Sequence, residues 1–167
     1  MAAACPESVD SVRGTVDSKD QAQMRPSIIS EPRTGDSGRS TTNKPRIEHF
    51  TDFEVWQKAH RLFLELVDDV DGFPSKRAAA VLADQALRSC GSISANIAEG
   101  FNRSTKKFLS SLDIAIGETN ETENWLYKIR DAGFLNPQTA EVRIERCKEI
   151  GRMLNGLIRS LKSRNQL

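Results

Sequence analysis

From residue 46 onward, apolar side chains recur every three or four positions, the period of an α-helix with one buried face. Val55, Ala59, Phe63, Leu66 and Val70 mark a first stripe, widened by Trp56 and Val67. Thr51-Asp-Phe-Glu54 has the spacing of a capping box, with Phe50 and Val55 placed as its hydrophobic staple. Gly72 offers a left-handed stop, and Phe73-Pro74 turns the chain. A second stripe follows on Leu82, Ala86, Ser89 or Cys90, Ile93 and Ile97, small residues that permit close helix approach, and Gly100 ends it. Gly91 is its soft spot, costing about 1 kcal/mol against Ala if exposed. The third stripe opens at the N-cap candidate Ser104. It continues through Phe108, Leu112, Ala115, Thr119, Thr122, Leu126 and Ile129, in the alternating fours and threes of a bundle seam. Gly133 caps it, Phe134-Leu135 can fold back, and Asn136-Pro137 restarts the chain with an N-cap and a proline at N1. In the last stripe Cys147, Ile150, Leu154, Leu157 and Leu161 form the seam, with Ile144 and Ile158 alongside. The pattern predicts helices over 52–71, 75–99, 104–132 and 137–163 and no strand. Four long helices joined by short loops imply an all-α, antiparallel up-down four-helix bundle spanning 46–167.

Residues 1–45 differ in kind. They are rich in Ser, Thr, Asp, Pro and Gly, with no aromatic residue, and cannot bury enough apolar surface to offset their ordering entropy. The stretch reads as a disordered tail, or as an over-extended gene start with Met24 as one later start. It lacks the basic and apolar regions of a secretory signal. The longest aliphatic run, Ala78 to Ala83, is far below the ~20 residues needed to cross a bilayer, so a cytoplasmic location without a membrane partner is expected. Cys5, Cys90 and Cys147 are widely separated; two fall on apolar helical positions, which suits free thiols in a reducing compartment.

Catalytic chemistry finds no purchase in this pattern. A di-metal bundle needs Glu-x-x-His ligand pairs, and neither His49 nor His60 stands in one. There is no glycine-rich phosphate loop and no nucleophile elbow. No enzyme activity, cofactor, metal or small-molecule substrate is expected. The net charge of +1 excludes a globally basic polymer binder, so any nucleic-acid surface must be local. Arg103, Lys106 and Lys107 form one such patch, at a helix N-terminus whose amides also favour anions. Lys148, Arg152, Arg159 and Lys162 form a second, one stripe opposite the last helix's seam. Each reads either as a solvated face, with cations complementing the C-terminal dipole, or as a phosphate-binding surface. Trp56, Trp125 and Tyr127 are not interleaved with basic residues along the chain, which favours core or subunit-interface roles over base stacking.

Ser92-Ile-Ser-Ala-Asn-Ile-Ala-Glu-Gly100, with Arg103 and Lys107-Phe108 after it, resembles the hallmark stretch of the four-helix bundle proteins encoded in 23S rRNA intervening sequences. Asp52 to Ala59 is similar to that family's opening helix. Ala115, Gly117, Glu121, Glu123, Leu126, Gly133-Phe134-Leu135 and Met153 to Ile158 fit its later helices. The resemblance covers about residues 48–163. It implies a small bundle, often a ring-like homo-oligomeric pentamer, with nucleic-acid binding suspected from the rRNA-linked genes. A related branch, the accessory proteins of diversity-generating retroelements, binds nucleic acid through a basic surface. Asn96 and Glu99 read as structural, bonding across helices or at the second helix's end, with direct ligand contact as the alternative. Gly91, Ser94 and Leu87 depart from the family's β-branched, proline and basic residues. Thr119 and Thr122 replace aliphatics and suggest a looser core. The alternative to a nucleic-acid binder is an oligomeric protein-interaction scaffold.

Overall fold

A computed structural model describes residues 47–164, so the expected disordered tail lies outside the described residues. They form a short 3-10 turn, Phe50–Asp52, and four helices: α1 Glu54–Asp71, α2 Arg77–Gly100, α3 Thr105–Asp131 and α4 Pro137–Arg164. The described residues contain no strand, and no helix among them is long and apolar enough to cross a membrane.

The helix ends follow local chemistry, with two corrections. The capping box expected from Thr51 and Glu54 forms two residues earlier, on His49 and Asp52. Asp52 accepts from the amides of His49 and Glu48 at 2.8 and 2.9 Å, while His49 accepts from the Thr51 amide. Those amides, His49 first, hold the Asp52 carboxyl below its ordinary range. Asp52 is nearer to the free amides than Glu54, which pairs instead with Lys58 at 3.7 Å. Gly72 is right-handed (φ −82°, ψ −1°), its amide turned back to Asp69 and Val70, so no left-handed stop is needed there. The left-handed positions are Gly133 (φ 69°) and Asn102 (φ 59°). At Gly133 the amides of Phe134 and Gly133 reach the carbonyls of Ile129 and Arg130 at 3.1 and 3.0 Å, a Schellman close for α3. Asn102 takes the same region in the α2–α3 turn, where its short polar side chain lowers the steric cost. Ser104 stands at the N-cap of α3 without a side-chain hydrogen bond. Asn136 caps α4 as expected, accepting from the amides of Gln138 and Thr139 at 2.9 and 3.3 Å.

Among the described residues the backbones approach closely from α1 to α2, α2 to α3, α3 to α4 and α4 back to α1, while the diagonal helices meet only through side chains such as Phe53 and Phe108, 5.8 Å apart. Along α2 and α3, Ser89 meets Thr122 while Gly100 meets Phe108 and Ser111, so residue number rises on one helix as it falls on the other. The same descending pairing links Thr119 with Gly151 and Arg130 with Glu141 between α3 and α4. Between α4 and α1 it links Glu149 with Lys58 and Arg143 with Asp69. Neighbouring helices therefore run in opposite directions around one core.

That core holds the whole expected α3 seam, Phe108 through Ile129. On α1, Leu62 rather than Phe63 is fully buried; Phe63 packs at the α1–α2 boundary over Gly91, where an added Cβ would lie 3.3 Å from its ring. Gly91 is thus a packing position. On α4, Ala140, Ile144, Cys147, Ile150, Leu154 and Ile158 are buried, and Leu157 and Leu161 only half so. A straight helix drifts ~20° per heptad against a strict seven-residue repeat, which moves the buried stripe from 157 to 158.

Candidate nucleic-acid interface

The antiparallel arrangement decides which predicted cations meet. The start of α3 lies beside the end of α4, so Arg103, Lys106 and Lys107 share one end of the bundle with Arg159 and Lys162. Exposed Arg164 joins them there. Lys148 and Arg152 stand further down α4 and do not reach this end. All of these side chains are exposed except Lys148, which is half-buried and bonded to Glu145 at 2.6 Å. That bond lifts the Lys148 ammonium above its ordinary range and lowers the Glu145 carboxyl.

Arg103 is held in place by α2. Its Nε donates to the Glu99 carbonyl at 2.9 Å and its guanidinium lies 3.6 Å from the Glu99 carboxylate. This orders the side chain while leaving it about half exposed (49 %). Glu99 thus bonds at the end of α2, whereas Asn96 does not bond across helices. Its amide donates to the Ser92 carbonyl at 2.8 Å, within its own helix. Gly100 is buried where α2 meets α3; an added Cβ would lie 2.6 Å from Phe108 Cδ2 and 2.8 Å from Ser111 Cβ. The glycine lets α3 begin directly against α2, so Arg103 and Lys107 lie on one short turn and the helix start that follows it.

By contrast Arg143 and Arg146 of α4 turn toward α1. Arg143 forks onto Asp69 at 2.7 and 3.2 Å and reaches Glu65 at 3.0 Å; Arg146 also pairs with Glu65. Their charge is spent inside the fold.

Aromatic residues collect along the start of α1, from the turn at Phe101 down to the level of Lys148 on α4. Trp56 and His60, one turn apart on α1, stack with centroids 5.0 Å apart and an 11° angle between planes. Phe50 meets Trp56 edge-on at 5.3 Å, and Phe101 lies 5.9 Å from Phe53 and 6.5 Å from Phe50. Linear spacing hid this cluster, because residues 49–60 and 101 come together only when α1 and α2 pack antiparallel. Trp125 lies on α3, bonded to Glu121 at 3.1 Å and covered by Lys128 at 3.8 Å.

Other chemistry has little to work with. Among the described residues no group of three or more His, Cys, Asp or Glu side chains converges as a metal site. Burial pushes the Cys90 thiol up to about 12 and raises that of Cys147 as well, which leaves both unreactive as nucleophiles. A cavity of about 240 Å³ between α1 and α4 is lined by Lys58, Arg61, Arg146, Glu149 and Ile150, two of whose cations are already paired.

No curated protein matches the chain. Among solved structures, the fold is similar to a Bacteroides thetaiotaomicron protein of unknown function from the S23 ribosomal protein family. The match has a TM-score of 0.59 and 29 % identity, covering 63 % of this chain and 95 % of that one. The family model described as "23S rRNA-intervening sequence protein" matches residues 51–156, a span that takes in α1 to α3 and most of α4, the Asn96–Gly100 stretch and the turn that carries Arg103. The chain belongs to the 23S rRNA-intervening sequence protein family.

Proposed function

We propose that the basic end of the bundle binds nucleic-acid backbone. The observation that carries this reading is where exposed cations gather. Lys58, Arg88, Arg130, Arg143, Arg146 and Lys148 each lie within 4.0 Å of a carboxylate. Arg61 and Arg152 stand singly along α1 and α4, and Lys76 and Arg77 lie at the other end of the bundle, exposed and without an ion pair among the described residues. Lys106, Lys107, Arg159 and Lys162, equally exposed and unpaired among those residues, gather at one end with Arg103, which Glu99 holds at 3.6 Å. Three of the acids there are committed, Asp52 to amides, Glu99 to Arg103 and Glu54 to Lys58, while Asp113 and Glu48 stand exposed. Phosphate is the complementary ligand for such a cluster, and the family's link to 23S rRNA intervening sequences makes RNA the first polymer to try. Binding to backbone releases counterions, so affinity should fall linearly in log–log form with salt, at about 0.7–0.9 per phosphate contacted. In a salt-titrated mobility shift on rRNA fragments, K106A/K107A should lower that slope by roughly 1.4–1.8. Absence of any shift at low salt would refute the proposal.

A homo-oligomeric scaffold is the second reading. Leu64, Val81, Ile114 and Val142 leave one aliphatic side chain per helix about half exposed (50, 52, 50 and 49 %), available to a second copy. Light scattering that returns a monomer at all concentrations counts against it.

A further inference from the structure

Contacts to backbone alone do not distinguish a paired strand from an unpaired one. We propose that the protein selects single strands, stacking an unpaired base on the Trp56–His60 ring pair while phosphates lie along Arg103, Lys106 and Lys107. This rests on the backbone-binding reading above.

Three observations support it. Trp56 and His60 are already coplanar to within 11° at 5.0 Å, so they form a stack before any ligand arrives. Trp56 is half-buried and propped by the edge of Phe50, whereas His60, the outer ring, is exposed and can accept a third ring. A base added there gains its contact without the ordering cost that a flexible side chain would incur. Second, rings lead from the stacked pair, through Phe50, to the turn that carries the first cation. Phe101 touches both Phe50 and Phe53, and Arg103 follows two residues later in the same turn, held by Glu99. Third, the combination suits one ligand class. Rings within a few nucleotides' reach of exposed cations match a polymer that alternates flat bases with phosphates. In a duplex the bases are stacked on each other and present only edges, so the ring pair would go unused.

The test uses three probes of equal length, about a dozen nucleotides: oligouridylate, the corresponding abasic strand, and an RNA duplex. The full chain has two tryptophans, so W125F leaves Trp56 as the sole reporter. Oligouridylate should quench Trp56 fluorescence and bind more tightly than the abasic strand. H60A should weaken oligouridylate binding roughly 5- to 100-fold, the range of one lost base–aromatic stack, and leave the abasic strand unchanged. H60F should restore most of the loss, because it returns a ring without the imidazole. Equal affinity for oligouridylate and abasic strands, or equal losses for both in H60A, would overturn the stacking proposal while leaving backbone binding intact. Duplex binding tighter than oligouridylate would overturn it too. Failure of all three probes to bind at low salt would overturn the backbone reading itself.

Discussion

Two seams of the same bundle are held by different physics. Between α2 and α3 the helices make their most extensive contact, through small and aliphatic residues and one neutral polar pair, with a single exposed ion pair, Arg88 to Glu121 at 3.7 Å, at the rim. Thr122 Oγ1 lies 3.0 Å from Ser89 Oγ, and the Ser89 hydroxyl lies 3.0 Å from the Gln85 carbonyl. With one proton each, Thr122 can donate to Ser89 and Ser89 to Gln85, so neither hydroxyl is left without a partner. Thr119 donates to the Ala115 carbonyl at 2.7 Å in the same way. Between α1 and α4 the contact is the smallest of the four, and charge crosses it: Lys58 to Glu149, and Arg143 and Arg146 to Glu65 and Asp69. The first seam derives its stability from excluding water, which is proportional to area and indifferent to salt. The second depends on completing a charge set, so its strength lies in what happens when one member is removed.

The largest effect should come from the apolar side of this contrast. Ile93→Ala, at a fully buried position of α2, should lower the unfolding free energy by about 3 kcal/mol in denaturant titration, equally at low and high salt. In the other seam, Arg143→Ala should cost about 2 kcal/mol, because Asp69 and Glu65 stay behind at 10 % and 22 % exposure. R143A/D69N should recover part of that loss, and strict additivity of the two changes would show that the pair is uncoupled. The hydroxyl pair gives the neutral counterpart. Thr122→Val should cost about 1 kcal/mol and S89A/T122V less, since removing both partners leaves no orphan. A double variant worse than the sum would mean that the hydroxyls serve something other than each other. The smallest effect belongs to Lys58→Ala, whose pair with Glu149 is 35 % and 44 % exposed; thermal melts should move by less than about 0.5 kcal/mol equivalent, vanishing in high salt.

Sequence pattern and structure agree most closely on α3. Its seam was legible in full because a single helix with neighbours on two sides must bury one regular stripe, and Thr119 and Thr122 sit in that stripe despite being polar. The threonines were read as a looser core; their hydroxyls instead close onto carbonyls and onto Ser89. Where pattern failed, a partner had intervened. Phe63 and Leu62 are both apolar, and which of them is buried depends on the space that Gly91 leaves on α2. Asp52 and Glu54 are both carboxylates in reach of free amides, and the shorter path won.

The candidate site divides in the same way. Arg103, Lys106 and Lys107 were visible together, being neighbours in the chain. That Arg159 and Lys162 stand at their end while Lys148 and Arg152 do not follows from helix length and direction. Arg143 and Arg146 were indistinguishable from the free cations until α1 brought Glu65 and Asp69 to them.

By itself the sequence determined the four helices, the end of each to within a residue or two, and the buried face of α3, because backbone hydrogen bonding and local capping act over a few residues. Only the tertiary structure decided which charges are spent and which remain available. It likewise decided that His49, Phe50, Trp56 and His60 stand beside Phe101. Charge neutralisation and ring stacking act between residues dozens of positions apart, and no periodicity along the chain encodes that distance.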